Sequence, residues 1–179
     1  MIYLIGGAPR VGKSLVASQL VAAKPMPSFS LDFLYNLSQI TSIEAFSGAS
    51  ILEKGRLFYP TLKELLVDVS RRSENCIIDG EVILPEFISE LSERYDIKCC
   101  FLGLSETSLE KILEHGGYFN WPKWKMENGF EDEVEDLAEQ TVGRSLIIQE
   151  QAKKYGLPYY DLAADYNHTS KAALQSLLS

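Results

Sequence analysis

The first fourteen residues, Met1-Ile-Tyr-Leu-Ile-Gly-Gly-Ala-Pro-Arg-Val-Gly-Lys-Ser14, constrain this chain more than any other stretch. A short apolar run from Ile2 to Ile5 ends in Gly6-Gly7, and Gly7 to Ser14 then follows the spacing Gly-x4-Gly-Lys-Ser at every fixed position. Leu15, Val16 and Leu20 continue at helical spacing on one face, so the segment reads as strand, turn, helix. Glycines let backbone N–H groups turn inward around an anion, and a helix starting at Gly12 to Ser14 adds the positive end of its dipole. Lys13 has the reach to touch the outer phosphates, and the Ser14 hydroxyl is a hard oxygen ligand for Mg²⁺. The expectation is a nucleoside triphosphate, ATP with Mg²⁺, held by Gly7, Ala8, Pro9, Arg10, Val11, Gly12, Lys13, Ser14 and Leu15.

With 179 residues and 46% apolar composition, the chain can bury a real core and reads as one domain, 1–179. A formal charge of −8 argues against a general nucleic-acid or membrane-surface partner, while a phosphate loop remains a local field that an acidic chain can carry. The apolar run at the N-terminus stops too soon for a signal peptide or a membrane span, which makes a cytoplasmic protein, monomeric or homodimeric, the expectation. Cys76, Cys99 and Cys100 lie in apolar runs and read as small core residues rather than disulfides or metal ligands. His115 and His168 have no partner at metal-binding spacing.

Further strands are expected at Ser28–Leu31, Asn75–Asp79, Ile97–Leu104 and Gly156–Asp161. Between them, helical patterns cover Phe33–Ile40, a segment opening at the capping-box spacing Thr41–Glu44, and Pro60–Arg72 with Leu62, Leu65, Leu66 and Val69 on one face. Gly48 and Gly55 interrupt that region. Pro85–Tyr95, Glu106–His115 and Thr169–Leu178 are further helices. Glu131–Tyr155 is the longest, with Val134, Leu137, Ala138, Thr141, Ser145 and Ile148 as its buried stripe. Strands alternating with helices predict a three-layer α/β domain around a parallel sheet of about five strands, with its ligand at their carboxyl ends. Residues 33–73 exceed what one crossover helix needs and are expected to cap an acceptor site. Residues 116–130 form a polar-aromatic loop with Gly116-Gly117 and Asn128-Gly129 as hinges, the composition of a lid.

Two carboxylates fall where that architecture gathers chemistry. Asp79 closes a buried strand and is placed to coordinate Mg²⁺, directly or through water, or else simply makes an Asp-Gly turn. Asp32 ends the second strand, where it would orient an acceptor hydroxyl and take its proton, or else cap the helix opening at Phe33. Glu81 is a second candidate carboxylate. Arg144 on the long helix, and Lys123 and Lys125 in the lid, are candidate cations for the transferring group. Arg10, Arg56, Arg71 and Arg72 are weaker candidates for holding the acceptor.

These residues together make the chain resemble the phosphate-loop small-molecule kinases, a group that includes nucleoside-monophosphate kinases, shikimate kinase, 2-phosphoglycerate kinase and chloramphenicol phosphotransferase. Gly7 to Ser14 matches their phosphate loop, Asp32 their acceptor-side aspartate, and Ile77-Ile-Asp-Gly-Glu-Val-Ile-Leu-Pro85 the third-strand segment of 2-phosphoglycerate kinases. The resemblance implies strand order 2-3-1-4-5 and a loop after the last strand, Ala163-Ala-Asp-Tyr166, lying against the adenine, with Ala164 and Asp165 as binding residues. It implies ATP-dependent phosphorylation of a small hydroxylated or phosphorylated metabolite, with Lys13, Asp32 and Arg144 catalytic and Ser14 and Asp79 on the metal. AMP and shikimate themselves are disfavoured as acceptors: the lid lacks dense arginines, no Pro-Arg pair follows Asp79-Gly80, and no triple-glycine segment is present. The alternatives are a nucleotide-binding regulatory module and a toxin-like kinase with a protein partner.

Overall fold

The computed structural model describes residues 1–34, 49–72, 75–114, 121–129, 134 and 136–179. The expected helix to Ile40 therefore lies largely outside the described residues, as do the capping box at Thr41–Glu44 and much of the lid.

The sheet contains β1 (Ile2–Gly7), β2 (Ser28–Ser30), β3 (Cys76–Asp79), β4 (Ile97–Gly103) and β5 (Tyr159–Asp161). Their order is β2-β3-β1-β4-β5 and every pairing is parallel, the order implied by the resemblance. All residues of β1 are buried, as expected for a central strand covered on both faces. Side-chain alternation divides its apolar residues between two cores. Ile2 and Leu4 join Ile78 and Phe101 on one face, whereas Tyr3 and Ile5 join Ile77, Cys100 and Leu102 on the other.

The first face is covered by α2 (Ile51–Arg71), α3 (Pro85–Ser92) and part of α6 (Leu137–Lys154), through Phe58, Leu62, Leu66, Ile88, Leu91, Ile148 and Ala152. The second is covered by α1 (Lys13–Ala23) and α7 (Tyr166–Leu178), through Val16, Ala17, Leu20, Ala173 and Leu177. Leu15 does not share the buried face of α1 expected for it and is 44% exposed. A satellite cluster of Ile112, Val134 and Leu137, with Met126 against it, ties α4 (Leu109–Glu114) and α5 (Trp121–Glu127) to the start of α6.

The largest difference from the sequence reading is in α2. It begins at Ile51, not Pro60, and runs through both Gly55 and Pro60. A capping box at its start has the Ser50 hydroxyl accepting from the Glu53 amide at 3.3 Å and the Glu53 carboxylate accepting from the Ser50 amide at 2.8 Å. An interior proline costs a helix ~3 kcal/mol and an interior glycine ~1 kcal/mol. Burying Ile51, Phe58, Leu62 and Leu66 along one stripe returns ~1.5–3 kcal/mol for each side chain, and that sum is the larger. Gly55 is where the helix meets the segment leading into α3, because a Cβ there would overlap Leu84, the fully buried residue that precedes Pro85. Residues 51–71 are thus the crossover helix between β2 and β3. Arg71 and Arg72 lie at its far end, where the chain returns to the amino edge of the sheet.

In α6, the small polar residues Thr141 and Ser145 are fully buried and let the helix approach β4 closely. The Ser145 hydroxyl donates to the Thr141 carbonyl at 2.7 Å and accepts from the Leu104 amide at 2.9 Å. Helix α7 starts three positions earlier than expected, at Tyr166, with Asp165 as its cap. All three cysteines are free; Cys76 and Cys100 are buried, and burial pushes the Cys99 thiol up to about 11.

Gly55→Val tests the α2 contact. A β-branched side chain against Leu84 should lower stability by about 2–3 kcal/mol, an overpacking cost that exceeds the gain in helix propensity. Thermal or urea unfolding of the variant checks it, and an unchanged midpoint would contradict the packing described.

Candidate functional site

The phosphate-loop sequence leaves β1 at Gly7 and enters α1 at Lys13. Three backbone positions within it are left-handed: Gly7 at φ 136°, Arg10 at φ 62° and Gly12 at φ 84°. Glycine takes such angles freely, whereas Arg10 is the one non-glycine described residue to do so and carries a local strain. Turns of alternating hand curl successive N–H groups toward one point and make an anion-binding concavity. Burial also lowers the pKa of Arg10, the loop's own guanidinium.

Lys13 is only 5% exposed. Its ammonium donates to the Ala8 carbonyl at 2.9 Å, so the side chain folds back across the loop, and it stands 3.7 Å from Asp32 Oδ2. The Ser14 hydroxyl donates to Asp79 Oδ2 at 3.0 Å. Asp79 is 3% exposed, and burial raises its pKa against the opposing pull of the Lys13 charge and the Ser14 hydrogen bond. Register explains the convergence. Asp79 lies beside Ile5 on β1 and beside Ser30 on β2, so the carboxyl ends of three strands meet at one carboxylate.

Asp32 sits in a helical turn, residues 31–34, and not at its cap. Its Oδ1 accepts from the Glu81 amide at 2.7 Å. Gly80 makes this possible: a Cβ there would press on Leu31 Cβ at 2.9 Å and Asp32 Oδ1 at 3.1 Å. Asp79-Gly80, expected as a turn or a metal site, is in the fold also the gap that admits Asp32. Glu81 in turn accepts from Arg144 of α6 at 3.1 Å, with Arg144 27% and Glu81 15% exposed. Lys13, Asp32, Glu81 and Arg144 therefore form a polar chain, and the Ser14–Asp79 pair feels the charges of Lys13 and Asp32 beside it.

Other candidates are placed elsewhere. Arg56 makes a two-pronged ion pair with Glu86, at 2.7 and 3.0 Å, joining α2 to α3. Arg71 is near Asp68 on its own helix. Lys123 is exposed and Lys125 half-buried on α5, inside the expected lid. In the loop after β5, Ala164 is exposed and the Asp165 carboxylate accepts from the His168 amide at 2.9 Å as the cap of α7. Tyr166, the last residue of the loop expected against the adenine, brings its hydroxyl against Gly12, where any Cβ would overlap it. No short-range pattern links Tyr166 to Gly12; the contact comes from packing α7 on α1.

The residues present fit a triphosphate with a hard divalent cation. A buried carboxylate and a hydroxyl offer adjacent oxygens next to a lysine and a curled loop of amides, a donor set suited to Mg²⁺. Among the described residues no cluster of three or more His, Cys, Asp or Glu side chains forms a metal site of its own. Such a cation would share its shell with phosphate oxygens and water.

No family model matches the chain, and no curated protein matches it by sequence. Its fold is that of solved phosphate-loop kinases. It matches a gluconokinase from Sinorhizobium meliloti 1021 with a TM-score of 0.54 and 16% identity, over 98% of this chain and 90% of that one. It matches a shikimate kinase from Bacteroides thetaiotaomicron with a TM-score of 0.55 and 14% identity, over 99% and 95% of the two chains. At these identities the likeness is one of fold.

Asp79→Asn tests how the site is held. The amide keeps an oxygen for the Ser14 hydroxyl but removes a buried charge, so the apo protein should gain thermal stability, by about 2 °C or more. A clear fall in the melting temperature would show that the Asp79 charge supports the fold.

Proposed function

We propose that the protein is an ATP- and Mg²⁺-dependent phosphotransferase acting on a hydroxyl group of a small metabolite. The observation that carries this reading is Asp32, 3.7 Å from the phosphate-loop lysine and oriented by the Glu81 amide at 2.7 Å. A nucleotide switch needs the loop, the lysine and the metal site; it does not need a second, partly exposed carboxylate beside them. The kinase fold supports the same conclusion.

In this reading the loop amides and Lys13 hold the β- and γ-phosphates, and Ser14 and Asp79 hold the cation. The cation supplies charge neutralisation across the phosphates. Asp32 accepts a hydrogen bond from the acceptor hydroxyl and takes its proton as the new P–O bond forms at the γ-phosphorus. The bond to the β,γ-bridging oxygen breaks, and ADP leaves with that electron pair. A lysine of α5, or Arg144 without leaving Glu81, stabilises charge on the phosphoryl group in flight. Catalysis of this kind is positioning and electrostatics, so each group should contribute separately to rate without holding the fold.

Lys13→Ala should therefore lower phosphoryl transfer by about 10²–10³-fold while circular dichroism stays unchanged. Asp32→Asn should lower it by about 10²–10⁴-fold and leave nucleotide affinity within a few-fold of wild type. ADP release against a panel of hydroxylated metabolites, with nucleotide binding measured in parallel, reads both. Full turnover by Lys13→Ala would sink the proposal. Slow ATP hydrolysis that no metabolite stimulates and that Asp32→Asn leaves untouched would favour a nucleotide-dependent binding module instead.

A further inference from the structure

The charge balance around Asp32 indicates what the acceptor is. Recognising a carboxylate or phosphate in a partly buried site takes a cation free to pair with it, most effectively a guanidinium offering two parallel N–H bonds. Lys13 stands 3.7 Å from Asp32 Oδ2, and Arg144 stands beside Glu81, its Nη1 already committed to that carboxylate at 3.1 Å. With Glu81 only 15% exposed, drawing Arg144 away to a substrate anion would leave a partly buried carboxylate uncompensated. Lys13 faces the donor loop through its bond to Ala8. Arg56 is held by Glu86, and Arg71 and Arg72 lie at the far end of α2. Lys123 and Lys125 belong to the segment expected over the triphosphate.

The sequence adds an independent observation. From Phe33 to Glu53, the stretch after Asp32 that leads into α2, there is no lysine or arginine; the first is Lys54. Residues 115–120 and 130–133 contribute none either, and 130–133 is mostly acidic. The polar chain and the Ser14–Asp79 pair beside it together hold three carboxylates, Asp32, Asp79 and Glu81, against two cations, Lys13 and Arg144. Repulsion is as effective as attraction in setting specificity. A negatively charged molecule would meet Asp32 and Glu81 beside a guanidinium, Arg144, that Glu81 already engages.

We propose, resting on the kinase reading above, that the acceptor is a hydroxylated molecule without a carboxylate or phosphate of its own, a polyol or an amino alcohol. The Glu81–Arg144 pair is the device that enforces this: Glu81 neutralises a guanidinium that would otherwise select an acid. Such a site takes an uncharged or cationic alcohol and turns it into a phosphate monoester. The product is then an anion that the same carboxylates help to expel.

The test compares kcat/KM for matched acceptors: glycerol with glycerate and glycerol 3-phosphate, glucitol with gluconate, and a series of amino alcohols with the corresponding hydroxy acids. In the wild-type protein the non-anionic member of each pair should be preferred tenfold or more. Glu81→Gln frees Arg144 and should erode that preference at least tenfold, whereas Arg144→Gln leaves the Glu81 charge unopposed and should widen it. Preference for the acids in the wild type overturns the acceptor assignment and leaves the kinase reading standing. Nucleotide binding with no panel member accelerating ADP release overturns the kinase reading, and this assignment falls with it. The wild-type comparison decides the matter even where a variant folds poorly.

Discussion

Lys13 and Asp79 carry charges almost wholly removed from water, at 5% and 3% exposure, at the carboxyl edge of the sheet. Burying an isolated charge is costly, and the cost is met only when partners are supplied within hydrogen-bond distance. Here the Ala8 carbonyl and Asp32 attend the lysine, while Ser14 attends the aspartate. Each of those partners comes from a different stretch of chain, so the cluster exists only if the strands meet in one register. Ile5 opposite Asp79, and Ser30 opposite Asp79, are that register. A slip of one residue would turn the carboxylate into an apolar core and bring Ile78 to the site.

The same requirement spreads outward. Asp32 can approach only because Gly80 has no side chain, and once there it orders the Glu81 amide. Glu81 then reaches Arg144, which ties the end of β3 to α6. Helix α6 is in turn held to β4 by buried Ser145 and is linked by the Leu137 cluster to the segment expected to act as a lid. A change at the phosphate end therefore has a physical route, through paired charges and packed helix, to the lid segment.

Much of the architecture was legible because its signals are local. The Gly-Lys-Ser run, the apolar strands and the alternation with helices predicted a parallel three-layer domain; the strand order came from likeness to a family. Asp79 and Asp32 stood out because each follows a short apolar or small-residue run. The breaker residues in α2 misled, because Gly55 and Pro60 are weak signals beside four buried side chains on one stripe. Leu15 misled in the same way, since periodicity places a residue near a face without deciding whether a neighbour covers it.

By itself the sequence determined the Gly-x4-Gly-Lys-Ser turn between strand and helix: such a loop needs particular residue types at consecutive positions, and consecutive positions are visible in a string. It also determined the lack of basic residues from Phe33 to Glu53, a matter of composition. Only the tertiary structure decided which charges pair around Asp32. That Arg144 answers to Glu81, that Arg56 is taken by Glu86, and that Tyr166 rests on Gly12 all join residues 30 to 154 positions apart. Electrostatic recognition depends on which charges face each other and how much water remains between them, and neither quantity exists until strands and helices have packed.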